Sequence, residues 1–242
     1  MDGRFVRTSL ILGQEGLEKL ASCRVIVFGI GGVGGYAVEA LARCAVGAID
    51  LVDNDTVSLS NLNRQIIALE STIGRYKTDV AAERIRDINP SCKVTVHRML
   101  YMPDTADSID LAQYDYVVDC IDTVTAKLEL ISRCKAAGVA VISCMGTGNK
   151  LDPSKLQVSD ISKTSVCPLT RVMRTELRRR GINHVKCVFS TEEVSGSVIP
   201  PDAEGGTKGR HAPGSTAFVP GTAGLLIASA VVRDLCGMGQ DD

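Results

Sequence analysis

A chain of 242 residues with 45% hydrophobic content has enough apolar surface for one large α/β domain and its core. A formal net charge of −1 excludes a protein that binds nucleic acid by bulk charge and leaves that role to local patches. Nine cysteines, an odd number with no CxxC pair, argue against a disulfide scaffold or a zinc knuckle and for reduced thiols in a cytoplasmic protein.

Residues 4–20 form an arm whose Leu10, Ile11, Leu12, Leu17 and Leu20 give it an apolar face to dock, with Arg4 and Arg7 as its cations. No signal-like apolar run follows Met1-Asp2-Gly3-Arg4-Phe5. Residues 25–28 are an apolar run rich in β-branched side chains and read as a buried parallel strand. Gly29, Gly31, Gly32 and Gly34 come next, then helical periodicity over 36–43 and a second strand over 48–52.

Gly29-x-Gly31-x-x-Gly34 fits the dinucleotide fingerprint, and Asp53 stands nineteen residues past Gly34, where a ribose-binding acid is expected. Glycines let the backbone approach phosphate oxygens, and a helix N-terminus offers free N–H groups and partial positive charge. The flanking strands and Asp53 favour a nucleotide site over a turn that only packs a helix on a sheet.

The polar loop 53–65 carries Asp55, Asn61, Asn63, Arg64 and Gln65. Residues 76–88 read as a helix with Val80, Ala81, Ile85 and Ile88 on one face. Lys77 falls in its first turn, where the helix dipole disfavours a cation unless an anion lies near. Lys77 is therefore either a phosphate ligand or a solvated lysine. Asn89-Pro90 ends the helix. Residues 94–97 read as a strand, 102–111 as an irregular segment with a short helix, and 115–121 as a buried strand running into Asp122. Ligands of open parallel sheets sit off the C-terminal strand ends, so Asp122 shares a rim with Gly29 and Asp53. A helix over 124–137, a strand over 139–143 and a turn at Gly146-Thr147-Gly148 complete this half.

Strands alternating with helices define an α/β protein with a doubly wound, Rossmann-like, mainly parallel sheet. Residues 1–150 form the nucleotide-binding part with its helical arm. Residues 151–242 form a C-terminal α/β extension packed on it as part of one structural unit. The extension holds a strand over 156–161, a basic helix from Cys167-Pro168 to Gly181, a strand over 185–189, a long loop over 195–221 and a last helix over 222–235. Its apolar run, 223–232, is too short to span a bilayer. Between Lys163 and Lys186 one acid, Glu176, faces seven basic residues, among them Arg171, Arg174, Arg178, Arg179 and Arg180. This is either a phosphate-backbone footprint or a solvated helix face.

The ordered motifs GIGGVG from Gly29, LVDNDTVSLSNLNRQ from Leu51, the first-turn Lys77, and DCIDT from Asp119 resemble the ubiquitin-activating-enzyme-like adenylyltransferases of ThiF type. The later segments NKLDPSKLQVSDISKTSVCPLTRVMRTELRRRG, CVFSTEE and GSTAFVPGTAGLLIASAVV extend the match over nearly the whole chain. They resemble the branch that dehydrates threonylcarbamoyladenosine in tRNA. The resemblance implies ATP and Mg²⁺, a tRNA substrate, a homodimer and a sulfur-relay protein partner. It places adenosine and ribose on the Gly29–Gly34 turn and Asp53, and Asp55 in the same loop. It places the triphosphate on Asn61, Arg64, Gln65 and Lys77, and Mg²⁺ on Asp122. Arg7 would reach across a dimer interface. Thr123 stands where many members carry Asn. The alternative within the superfamily is activation of the C-terminus of a ubiquitin-like sulfur carrier. The missing CxxC pairs count against it, because those enzymes commonly hold zinc with two of them. Cys167 is the thiol to weigh as an acyl acceptor, and an intramolecular ring closure leaves it a structural role.

Overall fold

The computed structural model describes residues 3–193 and 213–239. Seven strands form one sheet: β1 (Arg24–Phe28), β2 (Ala48–Val52), β3 (Lys93–His97), β4 (Tyr116–Asp119), β5 (Ala140–Cys144), β6 (Leu156–Asp160) and β7 (Lys186–Ser190). Their order is β3-β2-β1-β4-β5-β7-β6, and every neighbouring pair is parallel except β6 with β7. The chain leaves β1 toward β2 on one side and meets β4 on the other. A crevice therefore opens above the C-terminal ends of β1 and β4, the switch point of an open α/β sheet.

The helices are α1 (Val6–Ser22), α2 (Gly34–Arg43), α3 (Lys77–Ile88), α4 (Val124–Ala137), α5 (Pro168–Arg179) and α6 (Phe218–Leu235). Side chains alternate between the faces of a strand, and β1 divides its residues accordingly. Val25 and Val27 pack in one core with α2, α3 and α6, through Leu41, Ile85, Ile227 and Val231. Ile26 and Phe28 pack in the other with α4 and α5, through Leu130, Ile131, Met173 and Leu177. Both faces are covered, which is why the inner strands read as unbroken apolar runs.

Several boundaries differ from the sequence reading. β4 stops at Asp119, because residues 120–122 leave the ladder to line the crevice. α6 begins at Phe218, four residues before the expected start. Pro220 and Gly221 look like loop residues, but a proline in a helix's first turn gives up only an N–H that has no helical acceptor there. The remainder of the expected loop is irregular over 213–217, and residues 195–212 lie outside the described residues. α6 is 18 residues long and apolar, yet Val219, Ala223, Ile227 and Val231 are fully buried against the domain, so it packs as a core helix. In α1, Gly13 at φ 73° breaks the helix in two. Phe5 before the break and Leu17 and Leu20 beyond it are buried, and Leu12 packs on the core, whereas Leu10 and Ile11 are each 81% exposed, so the arm docks at both ends and leaves those two side chains out.

Candidate nucleotide site

The crevice is a cavity of about 710 Å³ built from the C-terminal ends of β1, β2, β4 and β5. Its floor is the glycine turn. Gly29 has φ 85°, and a Cβ there would stand 2.7 Å from the Cys120 carbonyl oxygen. A Cβ on Gly34 would sit 1.8 Å from the Gly29 carbonyl oxygen. These two glycines are required by packing. Gly31 is different: its added Cβ would meet nothing closer than Gln65 Nε2 at 3.9 Å, so its missing side chain leaves room for a ligand. Gly29, Gly31 and Gly32 line the cavity; Gly34 supports them from the first turn of α2.

Asp53 holds this turn in place. Its Oδ2 accepts from the Ile30 amide at 2.7 Å and its Oδ1 from the Asp55 amide at 2.8 Å. Each oxygen keeps a lone pair for a sugar hydroxyl. Lys77, in the first turn of α3, is 6% exposed, and its Nζ pairs with Asp55 Oδ2 at 2.7 Å. The acid that relieves the unfavourable dipole is thus a protein carboxylate in the neighbouring loop. Arg64 is half-buried, with Nη1 donating to the Ser60 carbonyl at 2.9 Å and Asn63 Oδ1 at 3.0 Å. Asn61 is buried and its Oδ1 accepts from the Ser58 amide at 3.1 Å. Gln65, 6% exposed, keeps an Oε1 with no hydrogen-bond donor. A buried acceptor without a partner is costly, and a ligand hydroxyl or amine in the cavity would satisfy it. The open floor at Gly31, the orphaned Gln65 oxygen and the two cations Arg64 and Lys77 together suit a nucleotide polyphosphate.

Asp122 is exposed at the rim, with the Thr123 hydroxyl donating to its Oδ1 at 3.2 Å. Among the described residues no cluster of three or more His, Cys, Asp or Glu side chains is placed to hold a metal. A lone carboxylate fits Mg²⁺, which takes the rest of its shell from phosphates and water, better than it fits a metal caged by protein.

A protein-family model described as the ThiF family matches residues 4–242. The chain belongs to the ThiF family. It is 44% identical over 241 residues to the tRNA threonylcarbamoyladenosine dehydratase of Bacillus subtilis (strain 168), covering 96% of this chain and 94% of that one. Among solved structures it is similar to the Escherichia coli tRNA N6-threonylcarbamoyladenosine dehydratase, TcdA, in complex with ATP, with a TM-score of 0.84, 36% identity and coverage of 97% and 94% of the two chains. The complex of the same enzyme with AMP gives a TM-score of 0.86 at 37% identity with the same coverage.

In this ThiF-family chain several cavity residues carry no motif. Met99, Leu100 and Tyr101 follow β3, Met145 follows β5, and Pro213 and Ser215 form part of the wall. The strand-end rule points to the first two groups, since β3 and β5 end at the same edge. Pro213 and Ser215 give no local signal. Asn149 and Gly214 bring them there: the Asn149 amide donates to the Gly214 carbonyl at 2.8 Å, and the Gly214 amide donates to Asn149 Oδ1 at 2.7 Å. Asn63 Nδ2 adds a bond to the Ser215 carbonyl at 3.0 Å.

Other expected site residues of this ThiF-family member lie apart from the cavity. Arg7 is exposed on α1. On α5, Arg174 donates through Nη1 to the Thr164 carbonyl and hydroxyl at 2.7 and 2.8 Å. Arg179 and Arg180 pair with Glu176 at 2.6 and 3.5 Å. Arg171 and Arg178 are exposed and have no side-chain partner among the described residues. Cys167, 2% exposed, caps α5 and does not line the cavity. Cys144 does line it, but burial pushes its thiol up to about 12, and burial likewise raises Cys120. Both are neutral, weakly nucleophilic thiols.

Proposed function

We propose that this chain catalyses the ATP-dependent cyclisation of threonylcarbamoyladenosine in tRNA, with loss of water, through an acyl-adenylate. The observation that carries the reading is the polyphosphate-sized cavity with its open glycine floor, its orphaned acceptor and its cations, in a chain of this family. The substrate carboxylate is a poor electrophile because its leaving group would be oxide. Attack of that carboxylate on the α-phosphorus of ATP expels pyrophosphate and makes AMP the leaving group. An atom of the substrate's own carbamoyl group then closes a five-membered ring and releases AMP. The oxygen lost from the substrate leaves in AMP, so the reaction consumes ATP and yields AMP and pyrophosphate.

No protein nucleophile is needed. The work is to place the carboxylate in line with phosphorus and to neutralise charge there. The glycine turn and the N-terminus of α2 take phosphate oxygens, and Asp53 takes the ribose. Arg64 and Lys77 face the triphosphate, with Asn61 and Gln65 beside them. Mg²⁺ on Asp122 would neutralise phosphate charge. The exposed arginines of α5 meet the RNA backbone. In a homodimer Arg7 reaches the partner's site, and the enzyme acts in the cytoplasm, where its tRNA resides.

The test is incubation with ATP, Mg²⁺ and threonylcarbamoylated tRNA, followed by nucleoside mass measurement. The expected product is lighter by one water, with matching AMP release. ATP–pyrophosphate exchange that ignores tRNA and responds to a small Gly-Gly-ended protein would overturn the reading in favour of sulfur-carrier activation.

A further inference from the structure

Beneath the rim lies an ion pair whose two residues are not themselves part of the cavity wall. Asp119, the last residue of β4, and Lys127, in α4, are both fully buried, with Nζ 2.9 Å from Oδ2. A buried pair of this kind is weak evidence for stability, because desolvation offsets most of the attraction. Its geometry suggests another use. Asp119 Oδ1 accepts from the Ile121 amide at 3.1 Å, and Oδ2 also accepts the Ser143 hydroxyl at 2.6 Å. The pair therefore ties the end of β4, the turn after it, the start of α4 and the end of β5 to one carboxylate.

All four residues between Asp119 and the first turn of α4, from Cys120 to Thr123, line the cavity, and Asp122 is among them. The residues after Ser143, from Cys144 to Gly148, line it as well. We infer that Asp119, Lys127 and Ser143 are positioning residues that set the Asp122 carboxylate against the metal-bound triphosphate. Neither buried charge reaches the ligand; each acts through the turn it holds. Groups that orient a metal-binding carboxylate typically change metal affinity by about 10–100-fold when removed.

The inference rests on the nucleotide and metal reading above, and the experiment separates the two. A non-hydrolysable ATP analogue is titrated into the full chain by calorimetry, with and without Mn²⁺ as the metal probe. In the wild type the metal is expected to tighten nucleotide binding. In Asp119→Asn/Lys127→Met, which leaves no lone buried charge, metal-free affinity is expected within about twofold of wild type. The gain from metal should fall about tenfold. A folded double variant with the full metal gain overturns the inference, since a merely structural pair would leave that gain alone. Ser143→Ala, which keeps both charges, guards against a double variant that fails to fold: it should lose part of the same gain, and an unchanged gain there also overturns the inference. A wild type that binds nucleotide no better with metal sinks the underlying reading, and that failure is visible before any variant is made.

Discussion

At the scale of single residues, Lys77 and Asp122 are the sharpest test of the site. Lys77 is held by Asp55 at 2.7 Å, and Asp122 stands at the rim. Removing one charge from a preorganised transition-state site typically lowers the rate about 10²–10³-fold. Lys77→Ala and Asp122→Ala should each release AMP at least that much more slowly while melting as folded proteins; near-normal AMP release by both would remove them from the chemistry. Cys167→Ser should keep full activity in the same assay, because this thiol is buried and does not line the cavity, and ring closure needs no acyl acceptor. Loss of turnover in a folded Cys167→Ser chain would point to a thioester instead. Asp50 offers a test of stability. Burial alone would raise its pKa, but hydrogen bonds from His97 at 3.1 Å, Arg24 at 2.8 Å and Tyr114 at 2.9 Å hold the carboxyl below its ordinary range. A depressed pKa contributes stability above the unfolded value of about 3.9 and loses it as pH falls through the folded value. Asp50→Asn should lower the unfolding free energy by about 2 kcal/mol at neutral pH. In urea titrations the gap from wild type should close as pH drops below about 4; a gap independent of pH would mean that the charge is not what matters. A cation in a helix's first turn makes Lys77 conspicuous in the sequence, and the structure places it in the cavity wall, paired with Asp55. The unpaired oxygen of Gln65 was not legible, since it depends on which side chains fail to reach it.

At the scale of elements, α5 divides its arginines between those paired within the protein, Arg174, Arg179 and Arg180, and the exposed Arg171 and Arg178. Its basic, amphipathic character was readable from residues 163–186. The periodicity could not say which charges are free, because Arg174 turns back to Thr164 across ten positions of sequence. Arg171→Glu/Arg178→Glu should weaken tRNA binding steeply at low salt and flatten its salt dependence by about one unit of slope for each phosphate left without its arginine. Arg174→Ala should instead lower the melting temperature with little change in that slope. The opposite pattern in filter-binding and melting experiments would move the RNA footprint off this helix. The start of α6 was misread for a related reason: Pro220-Gly221 is a loop signal locally, and only the packing of α6 on α2 makes it the first turn of a core helix. In the arm, Leu12, Leu17 and Leu20 of the expected apolar face pack on the domain, while Leu10 and Ile11, just before the break at Gly13, stay exposed.

At the scale of the whole molecule, the alternation of strand and helix up to residue 150 was enough to give the parallel half of the sheet and its ligand-bearing edge. It did not give the way the C-terminal part completes that sheet. β7 pairs with β5, β6 closes the edge antiparallel to β7, and α6 lies on α2. The contact with α2 is tight at the nucleotide end: a Cβ on Gly224 would stand 2.3 Å from the Val33 carbonyl oxygen, one residue before α2 begins. A chain cut after residue 150 would therefore expose the edge of β5 and strip one partner from α2, whose N-terminus follows the glycine turn of the cavity. Open strand edges and bare apolar faces favour association over a unique fold. Residues 1–150 alone should aggregate or lack a cooperative melt, and should bind ATP far more weakly than the full chain in calorimetry. If that fragment melted cooperatively and bound ATP with the full chain's affinity, the C-terminal part would be an appendage rather than a part, through Leu169, Pro213, Ser215 and Pro220, of the wall that shapes the site.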